Sequence, residues 1–535
     1  MATDGEENGR REKIAGNGER SGVADEMPGN GGAGNRAADE RGGTVGGERC
    51  AGVARNMTDD GLAVYIHFPY CRSRCPYCDF FRGILPREFD EAALVSRYRE
   101  DIAYFARLCG KMRQGERAGE KARQEENVWG KMRPEKDGRG KALQEENGRI
   151  KAGQEEDGRG GLARTAETAG QLSGGTSGRR RVTSVFFGGG TPSLLSPGAV
   201  EEVLEELERH FDIAPGAEIS LEANPNTFER EKFLAFRAAG INRLSLGVQA
   251  LNAADLKFLG RTHGVGDAIA AMELGAAAFP KFSIDLIYAR PGQKWEDWQR
   301  EIDLALGFGL RHISLYELAI EEGTVFARKN VRAADEEMSL TLYNQTVSYL
   351  RSRGLERYEV SNFAASGDDE SVHNLAYWRG GDYIGIGEGA HGRLRLWMDG
   401  GSEMSEETGT RSAEERSAGE TAEMRNTESL EGARSAGGKP AGNMQLWATV
   451  DGRLGDVLTP EERAEELVMM GLRIKEGIDA ERFYRACGIK LFDFLSKKMT
   501  KRLAQLDLLC YDDANIRLTD KGFPLLDEII LELVS

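Results

Sequence analysis

The sequence predicts an α/β fold, an open partial (β/α)6 barrel followed by a small C-terminal helical, winged-helix-like domain. Three observations predict it. Six short β-branched or aromatic runs alternate with helical patterns, which implies parallel βα units. Long glycine-rich, charged tracts interrupt the chain, so its 535 residues overstate the folded part, and about 360 remain for one barrel-sized domain and an appendage. From about residue 445 the pattern turns mainly helical.

The six strand candidates are AVYIH (63–67), SVFF (184–187), EISLEA (218–223), RLSLGV (243–248), SIDLIY (283–288) and HISLYEL (312–318). Helical patterns occupy about 88–108, 228–239, 252–277, 295–308 and 335–353, and one follows the second strand. That helix is the clearest: Ser196 is placed to cap it, Pro197 suits its first turn, and Val200, Val203, Leu204, Leu207 and Phe211 share a face. Its other face carries Glu201, Glu202, Glu205 and Glu206. In the C-terminal part, patterns at 459–475 (Thr459 as N-cap, Pro460 in the first turn), 479–487 and 490–506 precede a short strand pair and a last helix. In a partial barrel the working residues belong at the carboxyl ends of the strands.

Composition divides the rest. Residues 1–60, 111–181 and 398–444 are rich in Gly, Glu, Arg, Asn and Asp and nearly free of aromatics, too polar to offset the entropy of ordering. They are expected to be a disordered tail and two low-complexity insertions around a domain at 61–397 and a C-terminal domain at 445–535. The middle tract repeats every ten residues (KARQEENVWG, KMRPEKDGRG, KALQEENGRI, KAGQEEDGRG), but so polar a unit has no face to stack, which excludes a solenoid.

A net charge of −17 gives no electrostatic footprint for nucleic acid. No run of about 18 apolar residues exists, so an integral membrane protein is not expected. The N-terminus MATDGEENGRREK lacks a signal-peptide core, and its acidic residues argue against a mitochondrial presequence. Of seven cysteines, three fall within eight positions and four are scattered, which is no disulfide framework. A reducing cytoplasm is expected.

After the first strand comes His67-Phe68-Pro69-Tyr70-Cys71-Arg72-Ser73-Arg74-Cys75-Pro76-Tyr77-Cys78, a C-x3-C-x2-C loop. Three thiolates on one short loop can hold three irons of a 4Fe-4S cubane and leave the fourth iron open. The alternative is a structural zinc site with His67 or a distant cysteine as fourth ligand, although paired C-x2-C knuckles are absent.

Tyr65 to Cys71, followed by Cys75 and Cys78, resembles the cluster loop of the radical-SAM superfamily, in particular its coproporphyrinogen dehydrogenase (HemN) and heme chaperone (HemW) branch. The likeness extends over roughly 61–110, 182–397 and 445–535. It implies a radical-SAM barrel whose open iron binds S-adenosylmethionine and whose electron breaks a carbon–sulfur bond to give a 5′-deoxyadenosyl radical. Further motifs agree in order: Gly188-Gly189-Gly190-Thr191-Pro192 after the second strand, Glu222 in LEANP, Gln249 in LSLGVQ, Arg261 in LGRTH and Asp285 in IDLIY. By resemblance, Tyr65, Gly189, Gly190, Thr191, Glu222, Gln249, Arg261 and Asp285 contact S-adenosylmethionine, the bare glycines approaching its ammonium group, and Tyr77 packs beside the cluster. Carboxylates for cationic and hydroxyl donors and an arginine for the ligand carboxylate suit such a zwitterion.

Two departures choose within the branch. The dehydrogenase has a fourth cysteine two residues after the third and a tyrosine-bearing N-terminal segment; here Phe80 stands at that position and residues 1–60 hold no tyrosine. His373-Asn374-Leu375-Ala376-Tyr377-Trp378 reads as the HNxxYW motif that the chaperone branch links to heme, and an imidazole can ligate heme iron. The same residues also fit a core packing cluster. The glycine-rich Gly380–Gly392 stretch is not a dinucleotide loop, since no βαβ unit follows. The resemblance therefore implies heme, acceptor hemoproteins and an electron donor for the cluster as partners. Coproporphyrinogen III dehydrogenase is the alternative activity, and a zinc-stabilised interaction protein the alternative of another class. The acidic C-terminal domain is expected to act as a lid or packing element.

Overall fold

The computed structural model describes residues 61–80, 82–110, 179–227, 230–398 and 443–534. The expected tail (1–60) and most of both expected insertions (111–178 and 399–442) lie outside the described residues.

All six strand candidates form strands, the first five extended by one or more residues and the last one residue shorter: β1 Leu62–Phe68, β2 Arg181–Gly189, β3 Asp212–Ala223, β4 Arg243–Gln249, β5 Lys281–Tyr288 and β6 His312–Glu317. They pair in sequence order and in parallel, as successive βα units require. β1 shows why its residues were legible: every residue but Tyr65 is buried, the near-continuous apolar run of a parallel strand covered on both faces.

The sheet is larger than expected. β7 Glu356–Arg357 and β8 Asn362–Ala364 extend it beyond β6, and β9 Tyr383–Ile386, β10 His391–Met398, β11 Asn443–Val450 and β12 Arg453–Leu458 extend it beyond β1. The full order is β12-β11-β10-β9-β1-β2-β3-β4-β5-β6-β8-β7. β9 runs parallel to β1, so the glycine-rich stretch is a seventh parallel strand. Glycine serves packing there: a Cβ on Gly385 would stand 2.5 Å from the His391 carbonyl oxygen. The composition boundaries at 398 and 445 each cut into a strand, since β10 and β11 pair through Met398 and Asn443.

The helix Pro197–His210 is capped as expected, Ser196 Oγ accepting from Ala199 N. Its polar face differs in one residue. Glu206 is buried, 2.9 Å from His210 Nε2, 3.1 Å from Arg99 Nε and in contact with Arg209, because the helix over 91–110 lies against it. The single helix expected over 252–277 is two, Ala253–Phe258 and Val265–Ala278. Gly260 breaks it at φ +66°, with Pro76 of the cysteine loop where its Cβ would be, 2.5 Å away. The pattern at 490–506 is likewise split, into Leu491–Phe494 and Lys497–Gln505.

The C-terminal domain packs the helices Pro460–Gly471, Ala480–Cys487 and Leu526–Val534 against a three-stranded sheet around Leu467, Phe483, Leu503 and Ile516. The Thr459 capping box forms. Buried Arg463 donates to the Gly380 carbonyl at 2.7 Å, and Arg393 grips Glu466 with Nε and Nη2 at 2.9 and 2.6 Å, so the domain is fixed beside the HNxxYW segment.

Candidate functional site

The carboxyl ends of the parallel strands surround a cavity of about 340 Å³. Cys71, Cys75 and Cys78 line it, together with Tyr77, Gly189, Gly190, Thr191, Glu222, Gln249, Arg261 and Asp285. Residues spread over more than 200 positions of sequence thus meet at one place, because each lies toward the carboxyl end of a strand or in the connection that follows it.

The cysteine loop sits on the triple glycine. Gly190 N donates to Phe68 O at 2.7 Å and Thr191 N to Tyr70 O at 2.8 Å. A Cβ on Gly190 would stand 2.3 Å from that Tyr70 carbonyl oxygen, with further backbone atoms behind it. The glycine expected to admit a ligand is therefore demanded first by the protein's own backbone, which could not otherwise come so close. The Thr191 hydroxyl donates to Cys71 Sγ at 3.3 Å, and Asn224 Nδ2 donates to Thr191 Oγ1 at 3.0 Å. Arg261, delivered by the helix break, donates through Nη1 to Cys75 Sγ at 3.4 Å and through Nη2 to Gly247 O at 2.8 Å and to Asn224 Oδ1. Burial raises the Cys71 and Cys78 thiols, which the Thr191 hydroxyl opposes at Cys71 and the Arg82 guanidinium at both.

Opposite the thiols lie two carboxylates. Burial, then the charge of Asp285, pushes Glu222 up to about 8, although Gly189 N donates to it at 3.2 Å. Burial raises Asp285 to about 6 against bonds from Ser314 and Ser245, the latter at 3.1 Å. Such a pair calls for a ligand that brings positive charge and hydroxyl donors. Gln249 ends β4 at φ +71°, a conformation unfavourable for a residue with a Cβ, and so turns its side chain into the cavity lining.

The chemistry of this lining fits an iron–sulfur cluster with a bound zwitterion. Arg82 and Arg261 line it, and Arg82 Nη1 and Nη2 and Arg261 Nε are buried without hydrogen-bond partners among the described residues; the thiolates, sulfides and carboxylate of such a pair are acceptors. Among the described residues no three His, Cys, Asp or Glu side chains gather around one metal-ion position.

Five expected site residues stand apart from the lining. Tyr65 lies behind it, its hydroxyl 3.1 Å from His67 Nδ1, close enough to Glu222 that the carboxylate adds to the upward shift of its phenol. His373 is buried with Nδ1 3.0 Å from Ser184 Oγ and Nε2 against the Tyr377 hydroxyl, and its ring stacks on Phe186 at 5.0 Å. Burial lowers it to about 3, so it is neutral. Tyr377 meets Tyr383 edge-on at 4.4 Å, Asn374 lies in the first turn of the helix Val372–Trp378, and Trp378 packs beside Tyr358 and Ile474. His373 and Tyr377 thus belong to an aromatic packing cluster in which both imidazole nitrogens are engaged. Sequence reasoning missed Arg82, Asn224, Ser245 and Tyr316, all in the lining. Asn224, two residues after Glu222 and at a strand end, carried a usable signal; Arg82 carried none.

A parallel barrel with three thiols, a triple glycine and recessed carboxylates at its strand ends defines a radical-SAM protein, and residues 157–305 match the Radical SAM superfamily. Residues 458–525 match the HemN C-terminal domain. The chain is 32% identical over 88% of its length to the Bos taurus protein named "Radical S-adenosyl methionine domain-containing protein 1, mitochondrial", covering 87% of it. It is 31% identical over 62% of its length to the Escherichia coli heme chaperone HemW, covering 70% of that protein. The solved structure of coproporphyrinogen III oxidase (HemN) from Escherichia coli superposes with a TM-score of 0.57 at 18% identity, over 91% of this chain and 92% of that one, which shows a shared fold. The chain belongs to the radical-SAM HemN/HemW family. Membership implies S-adenosylmethionine and an iron–sulfur cluster as cofactors. Among the described residues no helix is long and apolar enough to cross a membrane.

Proposed function

We propose that the chain is a HemW-type heme chaperone, which binds heme and passes it to acceptor hemoproteins with the help of a 4Fe-4S cluster and S-adenosylmethionine. The observation that carries this reading is Phe80. It occupies the position of the dehydrogenase's fourth cysteine and presents a 64% exposed phenyl ring at the cavity wall. An exposed aromatic face beside the cluster suits a flat apolar macrocycle better than it suits a further thiol's role. The relationship to a protein named heme chaperone supports the same choice.

Cys71, Cys75 and Cys78 would hold the cluster, which when bound supplies one electron at a low potential. Glu222 and Asp285 would take the ammonium and ribose hydroxyls of S-adenosylmethionine, Arg261 its carboxylate, while Gly189, Gly190, Thr191 and Gln249 position it and Tyr77 shields the cluster. Tyr65 would act from behind, through Glu222. Heme ligation by His373 requires Nε2 to give up the Tyr377 hydroxyl and the ring to leave Phe186, with Asn374 and Trp378 carried along.

The test pairs a heme titration with turnover. Wild-type chain should bind heme at about one per chain, and with S-adenosylmethionine and reductant it should form no protoporphyrinogen from coproporphyrinogen. Catalytic formation of that product makes the chain a dehydrogenase instead. Unchanged heme retention in His373→Ala moves the ligand elsewhere. The reading includes an electron donor for the cluster and a reducing compartment, the cytoplasm. The Bos taurus relative's name places that protein in mitochondria, and cell fractionation distinguishes the two.

A further inference from the structure

Arg82 is the one cavity-lining cation whose two terminal nitrogens are both buried with no hydrogen-bond partner among the described residues. Leaving a charged donor so placed costs more than leaving a neutral one, because a guanidinium removed from water without acceptors keeps its full desolvation penalty. Glycines and strands nearby hold it there: the short strand Gly83–Ile84 pairs with Tyr70–Cys71, and Leu85 N donates to Cys71 O at 2.9 Å. The backbone that follows Arg82 is thereby tied to the cluster loop. Its charge reaches two of the three thiols, Cys71 and Cys78, while Arg261 contacts the third, Cys75. The two arginines differ in what else they do. Arg261 also braces Asn224 and the Gly247 carbonyl, whereas among the described residues the terminal nitrogens of Arg82 have no hydrogen-bond partner.

We propose that Arg82 is a positioning charge for the cluster, donating from its terminal nitrogens to the cluster's sulfur acceptors and making the cluster easier to reduce. This rests on the cluster reading above. A cubane held by three thiolates gains one negative charge on reduction, and a fixed cation in a cavity of low dielectric favours the more negative state. Hydrogen bonds to sulfur act in the same direction. No step of chemistry is assigned to Arg82 itself.

The experiment is a redox titration of the reconstituted full-length chain followed by electron paramagnetic resonance, for wild type, Arg82→Gln, Arg82→Lys and the exposed control Arg87→Gln. At the wild-type midpoint the reduced-to-oxidised ratio should fall about tenfold in Arg82→Gln, a shift of about 59 mV for a one-electron couple. Arg82→Lys should retain most of the wild-type potential and Arg87→Gln all of it. Loss of the cluster in Arg82→Gln with retention in Arg82→Lys also supports a charge requirement. An unchanged midpoint in Arg82→Gln at full iron and sulfide content overturns the proposal, as does an equal shift in Arg87→Gln. Loss of cluster or fold in both Arg82 variants overturns it too, since the residue would then be structural. If wild type itself binds no iron, the cluster reading fails first, and the two failures are distinct.

Discussion

Glu222 gives the most direct check on the site's electrostatics, because its effect is measurable on stability without any cofactor. Its carboxyl is raised from 4.5 in the unfolded chain to about 8 in the fold. Between those values the folded state holds a proton that the unfolded state has released, so stability falls as pH rises through the window. Below about pH 4 both states are protonated and the residue is neutral in its effect; above about pH 9 the penalty is complete. Taken whole, at roughly 1.4 kcal/mol per pK unit, the rise from 4.5 to about 8 is worth roughly 5 kcal/mol. Water entering the cavity and the shared titration with Asp285 reduce it, so about 2 kcal/mol is expected. Urea unfolding of wild type and Glu222→Gln without S-adenosylmethionine should give equal stabilities near pH 4.5 and a variant more stable by about that amount near pH 8.5. Parallel stability curves across the window would refute the claim that burial and Asp285 hold this carboxyl protonated.

Other outcomes follow from the same geometry. Alanine at Cys71, Cys75 or Cys78 should abolish iron retention and the broad visible absorption after anaerobic reconstitution, whereas Cys487→Ala and Cys510→Ala should leave both intact. Gly190→Ala should cost about 2 kcal/mol or more and displace the cysteine loop, because the new Cβ meets the Tyr70 backbone rather than a side chain that could swing away; a normal iron content and melting temperature would contradict this. Arg463→Ala should loosen the C-terminal domain by removing the bond to the Gly380 carbonyl, at a cost of about 1–3 kcal/mol, read as faster limited proteolysis between the domains.

The parallel strands of the barrel were legible because burial on both faces leaves apolar runs such as LAVYIHF, and the site because chemistry collects where those runs end. What escaped had a physical reason in each case. In β9 (YIGI) Gly385 must pass against the His391 carbonyl and Gly387 follows directly, so no unbroken β-branched run marks it as a strand. β10 and β11 border a polar tract whose composition outweighed their own. The break at Gly260 is enforced by Pro76, about 180 residues earlier, and no local periodicity reports such a contact. Glu206 shares the glutamate-rich face of its helix, and its burial depends on Arg99 of another helix, which local periodicity does not report. Arg82 follows a pair of phenylalanines in a short loop, and nothing in that string says that its guanidinium is turned inward.

The placement of the two long polar tracts has a practical meaning. One joins the helix over 91–110 to the first residue of β2, and the other leaves β10 at Met398 and returns at Asn443, several residues below the start of β1. Both exits are on the amino-end rim of the sheet, the far side from the cavity. Chain added at such doorways starts from the side away from the cavity. The same doorways are where a fluorophore, an affinity handle or a whole reporter protein can be spliced in to follow this chain in cells while its working face stays open.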